Sequence, residues 1–96
     1  MRNNDIVHIS DGDNREIFYI NGKRVLEGHQ VYVNQVLEEI AKLEGTFTCY
    51  SYVLNEPYDE DTAGEESQAW QEVFGNSPED LIHILHWLTS DKFEEG

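Results

Sequence analysis

The chain has 96 residues, of which twenty are Asp or Glu and six are Lys or Arg, for a formal net charge of −14 and a pI near 4.3. That length suits one small domain, 1–96, and the charge argues against DNA, RNA or an anionic membrane as a partner, because their phosphates attract Lys and Arg. Hydrophobic residues make up 39% and aromatics 11%, which is too many for an acidic disordered tail and predicts a folded core.

The first half of the chain reads as strands. Ile6, Val7 and Ile9 form an apolar run that ends at the turn-rich Ser10-Asp11-Gly12-Asp13-Asn14. Glu16–Ile20 and Lys23–Glu27 are β-prone and flank Asn21-Gly22. Asn-Gly between two such runs is a strong hairpin signal, because both central residues of a type I′ turn need positive φ. The reading is a three-stranded antiparallel meander over 5–27.

Between Gln30 and Glu44 the apolar residues Val33, Val36, Leu37, Ile40 and Leu43 recur at helical spacing, with Gly45 placed to cap the C-terminus. Thr46–Leu54 is rich in aromatics, Thr and Val and predicts a strand. Phe47, Cys49, Ser51 and Val53 would share one face, with Tyr50, Tyr52 and Leu54 on the other. A short helix over 66–74 would bury Ala69, Trp70, Val73 and Phe74 and stop at Gly75. Ser77 as N-cap, Pro78 at N1 and Glu79-Asp80 in the first turn open a last helix, with Leu81, Ile82, Leu85 and Leu88 as its stripe. The order βββαβαα predicts an α+β fold, a small antiparallel sheet of about four strands with helices packed on one face. Residues 91–96 read as a flexible tail.

Several chemistries fail on inspection. One cysteine, Cys49, makes neither an internal disulfide nor a thiolate zinc site, and a reducing cytoplasm follows as the expected compartment. MRNNDIVHIS lacks a signal-peptide core, and no apolar run nears the ~18 residues of a membrane span. Asp11-Gly12-Asp13-Asn14 opens like a calcium loop, but Arg15, Glu16 and Gly22 stand where an oxygen ligand, Gly and Glu are needed. His83 and His86, with Glu79 four residues before His83, have helical spacing for a metal, yet two histidines without further ligands more often flank an apolar stripe. Asp59-Glu60-Asp61 share one polar environment, whereas an acid/base pair needs environments that separate the pKa values. No nucleophile elbow or phosphate loop is present. The expectation is no enzyme, no cofactor and no resident metal.

The charge is unevenly distributed. Residues 1–43 hold seven acids and five bases, whereas 44–96 hold thirteen acids and a single base, Lys92. The densest run is Glu56, Asp59, Glu60, Asp61, Glu65 and Glu66, followed by Glu72, Glu79 and Asp80. Most acidic surfaces only solubilise, and a net charge of roughly 2–8 is enough for that in a small domain. A face of carboxylates could instead imitate B-DNA, which carries about one charge per 1.7 Å of axis. Tyr58, among those acids, could stack on a partner's Arg.

In size, charge asymmetry and lack of a catalytic motif, the chain resembles the DNA-mimic proteins that phages make against host DNA-binding proteins. Glu56-Pro57-Tyr58-Asp59-Glu60-Asp61 and the later acids carry the resemblance. It is most similar to the small acidic host-takeover proteins of large lytic Bacillus phages, a group that includes an inhibitor of the nucleoid protein HU. The resemblance implies an inhibitor in the host cytoplasm that occupies the DNA-binding surface of a basic protein, HU first. Its partner-binding residues would be Glu56, Tyr58, Asp59, Glu60, Asp61, Glu65, Glu66, Glu72, Glu79 and Asp80. A carboxylate surface copies the backbone but carries no base edges, so it competes best where binding is mostly backbone and deformability, as in HU-type proteins. The alternative is a protein-interaction adaptor whose aromatic patch, around Tyr50, Tyr52 and Trp70, binds a partner while the acids keep it soluble.

Overall fold

The structure is a computed structural model that describes residues 3–11, 15–28, 33–54 and 65–95. Strands β1 (Asn3–Ser10), β2 (Glu16–Ile20) and β3 (Lys23–Gly28) are followed by helix α1 (Val33–Ala41) and strand β4 (Thr46–Leu54). Helix α2 (Glu65–Trp70) runs on into a π turn over Gln71–Gly75. A 3₁₀ turn (Leu81–His83), helix α3 (Leu85–Leu88) and strand β5 (Phe93–Glu95) complete the order. The class is α+β, with one five-stranded sheet ordered β3-β2-β1-β4-β5.

The meander forms as the sequence predicts. β1 pairs antiparallel with β2, and β2 with β3. Asn21 (φ 53°) and Gly22 (φ 84°) both take the left-handed conformation that a two-residue hairpin of this hand requires. Asn21 also ties the turn back to β1: its N–H donates to the Asp5 carbonyl at 2.8 Å, and its side-chain amide donates to Asn4 Oδ1 at 2.9 Å. Asn4 is buried, and its own amide donates to the Glu44 and Thr46 carbonyls at 2.8 and 3.0 Å. One side chain thus joins the hairpin to the start of β4.

The sheet departs from the expected antiparallel set at its centre. β4 lies parallel to β1, in register from Asn3↔Thr46 to Ser10↔Val53. Parallel neighbours need a long crossover, and the connection that holds α1 leads from the edge strand β3 to the far side of β1. The second departure is β5. Instead of a free tail at 91–96, Phe93–Glu95 pairs antiparallel with Tyr52–Leu54. Phe93 is 6% exposed and belongs to the core, so one apolar residue in an acidic end is enough to dock the strand.

The core lies on one face of the sheet. Val7, Ile9, Ile17, Tyr19, Leu54 and Phe93 from the strands meet Val73, Phe74, Ile84 and Leu88 from the α2–π segment and α3. Ala69, Val73 and Phe74 are fully buried, in line with the expected apolar face, while Trp70 is half-buried beside them. Asn76 N–H reaches back five residues to the Gln71 carbonyl at 2.7 Å, which is the wider step of a π turn.

The predicted last helix is the largest correction. Ser77 is no N-cap: it has φ 46° and its hydroxyl donates to Glu27 Oε2 at 2.9 Å. Residues 79–81 instead lie along β3. Arg24 N–H donates to the Glu79 carbonyl at 2.8 Å and Leu81 N–H to the Gly22 carbonyl at 2.9 Å, and Lys23 bridges Asp80 as a strand would. Helix begins only after that contact ends. The stripe shifts accordingly: Ile84 is buried, whereas Ile82 is 70% and Leu85 39% exposed. Good local capping signals lost to backbone bonds with a strand far away in sequence.

Tyr19 locks this segment to the sheet. Its ring is fully buried and its hydroxyl donates to the Pro78 carbonyl at 2.5 Å. Burial pushes its pKa up to about 12, with Glu27 and Asp80 adding to the rise and Arg24 opposing it. The unfolded chain therefore releases this proton near pH 10 and the folded chain only near 12. Stability contributed by the neutral phenol is complete below pH 10 and is lost as pH climbs through that window, by about 2–3 kcal/mol. Urea titrations across the window should show that fall in the wild type. Tyr19→Phe should start about 1 kcal/mol lower at neutral pH, for the lost hydrogen bond, and show a shallower fall. An equal slope in both proteins would contradict this role for Tyr19.

Candidate partner-binding surface

The cations of this chain are largely held by its own oxygens. Arg15 donates to the Phe74 carbonyl at 2.8 Å, and Arg24 donates to the Ser77 carbonyl. Lys42 pairs with Glu39 at 3.1 Å, and Lys23 pairs with Asp80. The hydrogen bond between Lys23 and Asp80 holds the ammonium pKa above its ordinary value and the carboxyl pKa below its own. Meanwhile Glu79, Asp91, Glu94 and Glu95 stand exposed at the C-terminal end of the chain, and Asp5, Glu27, Glu38 and Glu44 on the strands and crossover. The outward field is that of carboxylates with few mobile counter-charges among them.

Of the acids expected to bind a partner, the structure separates three roles. Glu79 is exposed, and its backbone carbonyl is spent on β3. Asp80 is the anchor for Lys23 and has the His83 imidazole at 3.9 Å. Glu72 is half-buried, and its Oε2 accepts the Trp87 indole N–H at 2.7 Å. That bond makes Glu72 a strut between the π turn and α3 rather than a freely offered charge. Glu72→Ala should therefore cost about 1–2 kcal/mol, since it leaves a part-buried indole donor unpaired, which chemical denaturation will read. No loss of stability would return Glu72 to the surface set. Glu65 and Glu66 begin α2, where the backbone alone is described. Glu56, Tyr58, Asp59, Glu60 and Asp61 lie outside the described residues.

The expected aromatic patch is divided. Trp70 packs against Phe74, with ring centroids 6.1 Å apart, and donates its indole N–H to Asp11 Oδ2 at 3.3 Å. Asp11 also accepts the Arg15 N–H at 3.1 Å, so this carboxylate closes the β1–β2 connection. Tyr50 and Tyr52 lie elsewhere, in a pocket of about 300 Å³ lined also by Asp5, Val7, Gly22, Leu81, Leu85 and Leu88. Phe47 and Leu37 are 51% and 58% exposed. On both faces of β4 the first half, Thr46–Tyr50, is exposed throughout.

Two groupings were invisible in the sequence. One is that pocket. The other is a row across three strands: Ser51 Oγ lies 3.2 Å from His8 Nδ1, and Glu16 Oε1 lies 2.9 Å from His8 Nε2. The His8 ring stacks on Phe18 at 4.6 Å. Hydroxyl, imidazole and carboxylate follow the order of a nucleophilic relay. The row equally follows from register, since His8 sits directly opposite both Ser51 and Phe18. We read it as a cross-strand ladder that satisfies both imidazole nitrogens. The parallel pairing of β1 with β4 was the missing signal in both cases.

His83 leans on Asp80 and His86 on the Trp87 ring at 5.2 Å. Among the described residues no three His, Cys, Asp or Glu side chains gather as metal ligands would. Among the same residues no helix is long and apolar enough to cross a membrane. No family model, curated protein or solved structure gives a significant match to this chain.

Proposed function

We propose that the protein is an acidic DNA mimic that binds the DNA-binding surface of a basic protein in the bacterial cytoplasm and excludes DNA from it. An HU-type nucleoid protein is the first candidate, because such proteins hold DNA by its backbone and its deformability. The observation that carries the reading is the charge imbalance of residues 44–96, thirteen acids against one base. Lys23 and Lys42 each offset one surface acid, Asp80 and Glu39, and a net charge of −14 remains after every cation is counted. The mechanism is occlusion, with no chemical step, no metal and no cofactor. Pull-down from a bacterial lysate at low salt should enrich HU or another DNA-binding protein, and half-molar salt should release it. Retention of neutral proteins insensitive to salt would refute mimicry.

A second reading is an apolar docking module, favoured by the exposure of Tyr50 and Leu85 at one pocket. It differs in its response to salt, because apolar association persists or strengthens where charge pairing fades.

A further inference from the structure

We propose that the pocket between β1, β4 and α3 is a receptor for one arginine side chain of the partner. The inference rests on the partner being a basic protein and names how one of its cations is held.

The pocket has an apolar wall and an acidic corner. Leu85 and Leu88 of α3, with Leu81 before them, face Val7 across a space of about 300 Å³. That is at the lower end of volumes that accept a small ligand, and its aliphatic lining suits the methylene stem of a long cationic residue. Tyr50 and Tyr52 supply aromatic surface, and Tyr50 is 43% exposed. Asp5 supplies the charge. Its N–H donates to Asn21 Oδ1 at 3.0 Å, and its carbonyl accepts from Asn21 N–H, so both backbone groups are fixed by the hairpin turn. The Asp5 carboxylate has no partner among the described residues.

Register explains why these groups meet. Asp5 and Val7 are two apart on β1 and share its core face, and Tyr50 sits opposite Val7. Tyr50 therefore stands beside Asp5 along the same face. Lys23, next to the lining residue Gly22, is held by Asp80. A guanidinium fits this set better than an ammonium: its planar fork can take both carboxylate oxygens of Asp5 while its face lies on a tyrosine ring.

The test uses the full chain and capped Gly-Arg-Gly tripeptide, followed by NMR at low salt. The arginine peptide should shift Asp5, Val7, Tyr50 and Leu85 saturably, and the matched citrulline peptide, neutral but of the same shape, should bind about tenfold more weakly. Asp5→Asn should lower arginine affinity by about the same factor, with an unchanged melting temperature as the control for folding. Tyr50→Ala should weaken it, and Tyr50→Phe should not. Equal binding of arginine and citrulline, shifts spread over all surface acids, or an unaltered affinity in Asp5→Asn would overturn the proposal. The two layers separate cleanly. If Asp5→Asn displaces DNA from a basic protein as well as the wild type does, the pocket fails and mimicry stands. If the wild type binds the arginine peptide yet displaces no DNA, the pocket stands and mimicry fails.

Discussion

Phe74→Ala should remove most of the stability of this protein. Phe74 is fully buried, with the rings of Trp70 and Phe93 at centroid distances of 6.1 and 6.4 Å. It joins the α2–π segment to β5 and so to the edge of the sheet. Truncating a buried Phe to Ala costs about 3–5 kcal/mol, in lost transfer free energy and in the cavity left behind. A domain of this length has roughly 5–15 kcal/mol in total, and self-repulsion of a −14 chain places it toward the lower end. Urea denaturation should show a large fall in midpoint, partly recovered by added salt as repulsion is screened. The same change at Leu37, 58% exposed, should stay within about 0.5 kcal/mol. A loss below about 1 kcal/mol for Phe74→Ala would mean that the core is not where α2, α3 and the sheet meet.

The second large effect concerns binding. Replacing Asp59, Glu60 and Asp61 with Asn, Gln and Asn removes three charges from the densest acidic run. Association with a basic partner should slow by on the order of tenfold, because long-range steering scales with the field of the whole chain. The dissociation rate should change less, and the melting temperature should hold or rise as repulsion falls. The half-buried Glu72 should behave in the opposite way, with its substitution costing stability. Stopped-flow measurement of on-rates at two salt concentrations separates the cases. An on-rate indifferent both to the triple change and to salt would leave electrostatic capture without support.

What was legible in the sequence were the local decisions. Asn21-Gly22 announced its hairpin because φ above zero is demanded of both residues, and both adopt it. Thr46–Leu54 read as a strand because β-branched and aromatic residues fill it. Ala69, Val73 and Phe74 read as a buried face because their spacing is helical. What was not legible depended on distant partners. Ser77-Pro78-Glu79-Asp80 carries sound helix-opening chemistry, but Gly22 and Arg24 bind its backbone and Pro78 receives the Tyr19 hydroxyl. Phe93, alone among acids, has no periodicity to announce a strand, and only its seat in the core shows one.

The candidate surface divides along the same line. Net charge and its asymmetry are properties of composition, and they are read directly from the chain. Which carboxylate is free and which is a strut is set by neighbours such as Trp87 and Lys23. The tyrosine pocket needs β4 parallel to β1, because that register alone brings Tyr50 beside Asp5. The amphipathic pattern in the last segment placed Leu81 and Leu88 correctly against the core, whereas Ile82 is exposed, Leu85 stands at the pocket and Ile84, outside the expected stripe, is buried.

The proposed mimicry requires that this protein take the place of DNA on a basic protein. The most direct measurement is displacement of a fluorescently labelled duplex from an HU-type protein, followed by anisotropy as the wild-type chain is titrated in. Full release of the duplex is expected at low salt, with an inhibition constant that weakens steeply as salt rises. Anisotropy unchanged at an excess of the protein, or a ternary complex with the duplex still bound, would contradict it.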